Sequence, residues 1–268
     1  MQKIYIWLKS KKILLTLGLV VIFVVIFVFF ILKYFKSNSF PEIILWAWER
    51  PENLLFINDK KIGVAFLAGT IIFTDSEVNI KPRLQPLRVK PETAMTPVIR
   101  IDNLSKNSQL GENQILQALE FIIKTCSQDK ISGCQIDFDA KNSERDWYQK
   151  LIIKVRNEIP KSVPLSITAL VSWCDNNSWL DSLPIEEAVP MFFRLGLDEY
   201  LIKSHSVGES FMKAKICQKS VGISVDEDVP KAEYLKNRRI YIFNPEPWTS
   251  DSFLNIMKII ETKITETK

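Results

Sequence analysis

The strongest constraint on the fold is a series of eight short runs rich in Val, Ile, Leu and aromatic residues. They span Ile43 to Arg50, Gly63 to Phe73, Pro97 to Asp102, Gly133 to Asp139, Pro164 to Trp173, Ala188 to Arg194, Lys219 to Val225 and Arg239 to Phe243. Runs of this length and composition read as buried strands. Helical patterns fall between or after them at Glu112 to Cys126, Ser143 to Ile159 and Asp251 to Ile264. The first carries Ile115, Leu116, Leu119, Ile122 and Ile123 at the spacing of one helical stripe, and Ser143 is a natural N-cap for the second. Pro160 and Pro164 punctuate the link that follows. Strand alternating with helix favours right-handed βαβ units and a parallel sheet, and eight strands make an α/β fold of the (β/α)8, TIM-like barrel kind the leading expectation. Val78 to Val89 reads as extended and irregular, so the first third is expected to depart from that pattern. An open doubly wound sheet is the alternative, but no Gly-rich phosphate loop follows any of the runs.

Ahead of these runs, Ile13 to Leu32 holds about twenty residues without a charge, enough to cross a hydrocarbon core of roughly 30 Å as helix. Lys33-Tyr34-Phe35-Lys36 follows directly, where a cleaved signal peptide would carry a small-residue site. The segment is therefore expected to be an uncleaved anchor. Lys3, Lys9, Lys11 and Lys12 precede it and only Lys33 and Lys36 follow closely, which puts the N-terminus in the cytoplasm and the rest outside. The expected organisation is a cytoplasmic N-terminus over 1–12, a transmembrane anchor over 13–32, a linker over 33–42 and a barrel-like domain over 43–268. Thr16 and Gly18 are the only small residues of the span, so a helix dimer through a small-residue seam is not expected.

The formal net charge of +4 owes much to those flanking lysines, and downstream only Lys236, Arg238 and Arg239 form a basic knot. A nucleic-acid partner is not expected without a clustered basic face. Outside the cytoplasm the four cysteines Cys126, Cys134, Cys174 and Cys217 are able to pair. Cys126 and Cys134, bracketing a helix-to-strand link, are the best-placed pair; four reduced, buried thiols are the alternative. No ligand spacing for a metal is present, His205 is the only histidine, and neither metal nor cofactor is expected.

In a barrel of this kind reacting groups sit at the C-terminal ends of the strands. The most informative end is Gly133-Cys134-Gln135-Ile136-Asp137-Phe138-Asp139-Ala140. Alternation places Gln135, Asp137 and Asp139 on one face and the apolar residues on the other, so two carboxylates are expected to point into the barrel mouth. Neighbouring acids in a partly dry site push one pKa up, which yields a general acid beside a permanent anion. The competing structural reading pairs these acids with Arg145, Arg194 or backbone amides. Other ends supply Trp48, Glu49 and Arg50; Asp102 and Asn103; Trp173 and Asp175; Arg194; Asp226 and Glu227; and Asn244, Glu246 and Trp248. Aromatics beside carboxylates and amides are what a sugar site needs, because the C-H face of a pyranose stacks on a ring while its hydroxyls take hydrogen bonds.

Four separated segments, Trp46 to Pro51, Gln135 to Ala140, Leu165 to Leu170 with Ser172-Trp173-Cys174, and Val189 to Gly196, resemble the signature segments of a bacterial family known as domain of unknown function 3142. The likeness runs from about Trp46 to Trp248. More remotely, the Asp-x-Asp run, Met191 on the sixth strand and Trp248 after the last are similar to family-18 glycoside hydrolases, which are barrels acting on N-acetylglucosamine polymers. The chain departs from that family where its general-acid Glu would fall on Lys141 and its sixth-strand Tyr on Phe193. Taken with the strand-end residues and the expected anchor, the family-18 likeness leads to the expectation of an envelope-anchored barrel that acts on or binds a carbohydrate. Asp137 and Asp139 are its expected acid and electrostatic partner, with Glu49 and Glu246 as substitute acids. Trp48, Trp173, Arg194, Asn244 and Trp248 are its expected glycan contacts. A non-catalytic module that binds a glycan or serves an envelope assembly is the alternative. A metal-dependent deacetylase is disfavoured by the want of histidine ligands.

Overall fold

The computed structural model describes residues 22–25, 27, 40–75, 77–105, 110–175, 179–196 and 212–265. The expected span and most of the linker lie outside them, as does His205; within the span only Ile22 to Val25 and Phe27 are described, as helix. Among the described residues no helix is long and apolar enough to cross a membrane. The chain divides into two compact units, Met1–Phe40 and Pro41–Lys268.

Among the described residues the second unit holds eleven strands: β1 (Ile43–Ala47), β2 (Glu52–Asn53), β3 (Ile62–Phe73), β4 (Val78–Pro82), β5 (Leu87–Arg88), β6 (Ala94–Asn103), β7 (Cys134–Asp137), β8 (Leu165–Ala169), β9 (Glu187–Pro190), β10 (Ser220–Ser224) and β11 (Arg239–Phe243). Eight of them form one parallel sheet in the order β10-β11-β1-β3-β6-β7-β8-β9, and each contains or overlaps one of the eight apolar runs. A parallel bridge between Met191 and Gly222, with the Phe192 N–H donating to the Gly222 carbonyl at 2.8 Å, joins the two ends. The result is a mixed α/β fold around a nearly closed, barrel-like parallel sheet.

Both faces of such a sheet are covered, which is why its strands are apolar almost throughout. Outward side chains such as Leu45, Ile99, Ile136, Ile167 and Ile242 belong to the main core. Inward ones are more polar and are bonded to one another. The Trp46 indole donates to Gln135 Oε1 at 2.8 Å, Gln135 Nε2 to Ser166 Oγ at 3.3 Å, and the Tyr241 hydroxyl to Glu187 Oε1 at 2.6 Å. Gly222 leaves room for the Trp46 ring: a Cβ there would stand 3.0 Å from it.

Three α-helices are described in this unit: α1 (Glu112–Cys126), α2 (Arg145–Glu158) and α3 (Ser250–Thr265), close to the three helical patterns of the sequence. Two local expectations need correction. Ser143 does not cap α2, because Asn142–Glu144 forms a 3-10 turn first and the Glu144 carboxylate closes it by accepting the Lys141 N–H at 2.7 Å. Leu116 is exposed, because the buried stripe of α1 runs through Ile115, Ala118 and Ile122 instead. Among the described residues α-helices follow only β6, β7 and β11, the other strands being followed by turns, short strands or 3-10 segments. The irregular first third has a definite form. β3 has 12 residues and β6 has 10, against 4 or 5 for their parallel neighbours. β1 pairs with β3 only up to Ala47 and Phe66; beyond a register shift at Leu67, β4 takes that side in antiparallel fashion. These three strands therefore carry a wall past the C-terminal end of the barrel.

Two disulfides are present, Cys126–Cys134 and Cys174–Cys217. The first ties the end of α1 to the start of β7. The second ties the turn after β8 to the turn before β10.

Candidate functional site

β7 lies between β6 and β8, so its inward residues meet side chains from both neighbours. The register sets Arg100 opposite Asp137. Arg100 Nη1 donates to Asp137 Oδ2 at 2.8 Å, and from the other side Thr168 Oγ1 donates to Asp137 Oδ1 at 2.7 Å. Asp137 is 2% exposed, and both of its oxygens are engaged. Arg100 also donates through Nε to Asp102 Oδ1 at 2.9 Å and brings Nη2 within 3.8 Å of Asp139 Oδ2. One guanidinium thus serves three carboxylates. Burial opposes its charge, but Asp137 and then Asp102 and Asp139 hold it firmly protonated.

Asp139 lies just past β7 and is the exposed member of the cluster. Removal of water around its carboxyl and the adjacent Asp137 charge push its pKa from 3.8 up to about 6, against the pull of Arg100. A raised carboxyl favours the folded chain most when protonated. Its contribution is complete below the unfolded value near 3.8 and is lost as pH rises through about 6. Asp139→Asn removes this dependence, so the melting temperature of the variant relative to wild type is expected to climb between pH 4 and 7, as calorimetry would record. With 46% of the side chain in contact with solvent the gain is small. A relative melting temperature flat across that range would mean that the carboxyl is not raised.

Above the acids opens a cavity of about 280 Å³. Its lining includes the polar residues Arg100, Asp137, Asp139 and Thr168 and the aromatic residues Trp46, Trp48, Phe193 and Phe243. Phe193 and Phe243 stack at 5.5 Å with planes 6° apart, and Trp48 meets Phe243 edge-on at 6.1 Å. The volume lies just below the usual range for small-molecule sites, about 300–1,000 Å³. Aromatic rings and hydrogen-bonded charged groups lining one cavity suit a ligand with both C-H faces and hydroxyl edges.

Asp137, Asp139, Trp48 and Arg194 all line this cavity. Arg194 is occupied, however: with φ of 53° it pairs with Asp226 at 2.7 Å and with Glu227. The other named residues lie elsewhere. Trp173 is 4% exposed and packs on Trp179 at 5.2 Å within the core, because the chain enters a 3-10 turn after β8 and turns the indole outward. Trp248, also 4% exposed, donates its indole N–H to the Trp46 carbonyl at 2.9 Å. Neither forms a platform in the cavity; Trp48, Phe193 and Phe243 supply the aromatic wall instead. Asn244 is buried, and its Oδ1 accepts the Glu246 N–H at 3.0 Å in the turn after β11. Glu246 is exposed outside the cavity. Glu49 lines a separate hollow of about 420 Å³ beside β4 and accepts a long bond from Thr70 at 3.4 Å. Arg145 lies 5.9 Å from the Trp179 ring, so the structural partner of the two acids is Arg100, not Arg145 or Arg194. A charged residue inside the apolar run Pro97 to Asp102 was the available signal for Arg100. Thr168 offered none beyond its inward parity.

Among the described residues no group of three or more His, Cys, Asp and Glu side chains is arranged to hold a metal ion. No protein-family model, no curated protein and no solved structure matches this chain.

Proposed function

We propose that the chain is an envelope-anchored, TIM-like barrel protein whose mouth cavity takes a glycan, with Asp139 as proton donor to a glycosidic oxygen. The observation that carries this reading is the juxtaposition of aromatic rings with the Asp139 carboxyl, raised to about 6, beside the buried, hydrogen-bonded Asp137. A carboxyl with that pKa retains a proton close to neutrality and sheds it readily, the balance general acid catalysis needs. As the bond from the anomeric carbon to the leaving oxygen breaks, the Asp139 proton passes to that oxygen. The positive charge that develops on the sugar faces Asp137. Water then adds its oxygen to the anomeric carbon, and its proton restores Asp139. The anchor over 13–32 and the likeness to the family of unknown function 3142 belong to the same proposal, and the two disulfides favour an oxidising compartment.

A second reading, binding without cleavage, rests on one specific observation. Both Asp137 oxygens already accept a hydrogen bond, from Arg100 and from Thr168, and its side chain is 3% exposed, so this acid is poorly placed to activate a water. A panel of neutral and N-acetylated oligosaccharides, assayed for binding and for reducing-end release, separates the two. For a hydrolase, Asp139→Asn is expected to lower turnover about 100- to 10,000-fold while binding persists. Trp48→Ala is expected to weaken binding about tenfold. Binding with no turnover in wild type supports the second reading, and a folded chain that binds none of the panel would overturn both.

A further inference from the structure

Glycan contact through Trp48 requires its ring to be held still, yet Trp48 lies past the end of β1 with no sheet partner. Arg83, from the turn between β4 and β5, does not line the cavity but reaches the backbone around Trp48. Its guanidinium donates to the backbone carbonyls of Ala47 at 3.3 Å, Trp48, and Arg50 at 2.6 Å, while Nε holds the Gln85 carbonyl at 3.0 Å. Arg50 continues the chain of contacts. It donates to the carbonyls of Asn244 at 2.7 Å and of Pro245, and pairs through Nε with the buried Glu52 at 3.1 Å. Glu52 in turn accepts the Trp248 N–H at 2.9 Å. Three stretches of the rim that share no ladder at this height are thereby joined: the β4–β5 turn, the end of β1 and the end of β11. Two of them carry the aromatic wall, Trp48 and Phe243.

We propose that Arg83 is a positioning residue of the mouth site: by fixing the rim carbonyls of Ala47, Trp48 and Arg50 it sets the plane of Trp48 against the ligand. This rests on the glycan reading for its purpose, though not for its geometry. The planar fork of a guanidinium reaches several acceptors at once, whereas a lysine ammonium is a single point on a flexible stem. Desolvation disfavours the Arg83 charge at this place, and the nearby Glu52 and Glu49 carboxylates offset only part of that effect. The stretch Val78 to Val89, without helix in this barrel, thus has a use: it delivers this guanidinium to the backbone around Trp48.

The test uses the full chain in detergent, labelled with 5-fluorotryptophan at its seven tryptophans and observed by ¹⁹F NMR. The Trp48 line is assigned by its loss in Trp48→Phe, and the Trp173 and Trp179 lines likewise serve as core controls. Arg83→Lys and Arg83→Gln are expected to shift or broaden the Trp48 line while the controls stay in place. They are also expected to weaken binding of the best oligosaccharide from the panel about tenfold. An unmoved Trp48 line in a folded variant overturns the proposal, and so does a common shift of all lines, which would make Arg83 a general stabiliser. Should wild type bind no glycan while Trp48 alone responds to Arg83→Lys, the glycan reading fails and the brace stands. If both substitutions unfold the chain, Arg83 is a folding residue and the positioning role is overturned.

Discussion

Arg100→Ala is expected to destabilise the chain by about 3 kcal/mol or more, the usual result of removing one partner from a buried ion pair. The reason is the asymmetry of the pair. Arg100 keeps 32% of its side chain in solvent, whereas the side chain of Asp137 is 3% exposed and would be left as a buried, half-bonded anion beside Asp102 and Asp139. In a domain of this size that corresponds to roughly 6 to 12 °C in melting temperature. The loss should shrink as pH falls through about 6, because Asp139 then takes up a proton and no longer adds its charge to the unpaired cluster. Arg100→Ala combined with Asp137→Asn should recover most of it, since an amide in that place still accepts the Thr168 hydroxyl. Urea unfolding of the two variants at pH 5 and pH 8 measures all of this. A single variant as stable as wild type at pH 8 would show that the pair contributes nothing.

The second large effect concerns the cross-link between the turns flanking β9. Constraint of the unfolded chain grows with the loop a disulfide closes. For Cys174–Cys217, 43 residues apart, the chain-entropy relation corresponds to roughly 4 kcal/mol. For Cys126–Cys134, 8 residues apart, it corresponds to roughly 2.5 kcal/mol. Cys174→Ala with Cys217→Ala is thus expected to lower the denaturation midpoint more than Cys126→Ala with Cys134→Ala. The reverse order would show that local packing of these buried sulfurs, and not loop closure, sets the contribution. Loss of the longer bridge also loosens the region where the barrel closes by the single bridge at Met191 and Gly222. Ligand affinity should therefore fall with stability in that variant and stay nearly constant in the other.

The eight strands were legible because each is buried on two faces and must be apolar almost throughout, a pattern that survives without knowledge of neighbours. Parity was legible for the same reason: Gln135 and Asp137 alternate with Ile136 and Phe138, and the structure places the two kinds on opposite faces. A short connection between two recognisable elements made Cys126 and Cys134 the best-placed pair, but whether they pair or stay reduced was decided only by the structure. Partners across the sheet were a different matter. Nothing local in Arg100 says that it stands opposite Asp137, since that depends on the β6–β7 register. The tryptophans show the limit most clearly. Trp48, Trp173 and Trp248 all follow strand ends, and only the path of the chain after each end sends one indole to the cavity and two into the core.

By itself, then, the sequence determined the number of barrel strands, the inward parity of their side chains and the presence of two acids at one strand end, all consequences of backbone geometry over a few residues. The tertiary structure alone decided which cation those acids share, which aromatics face them and that Arg83 braces the rim. Those are contacts between residues tens of positions apart, governed by register and turn direction, and no local pattern in the chain encodes either.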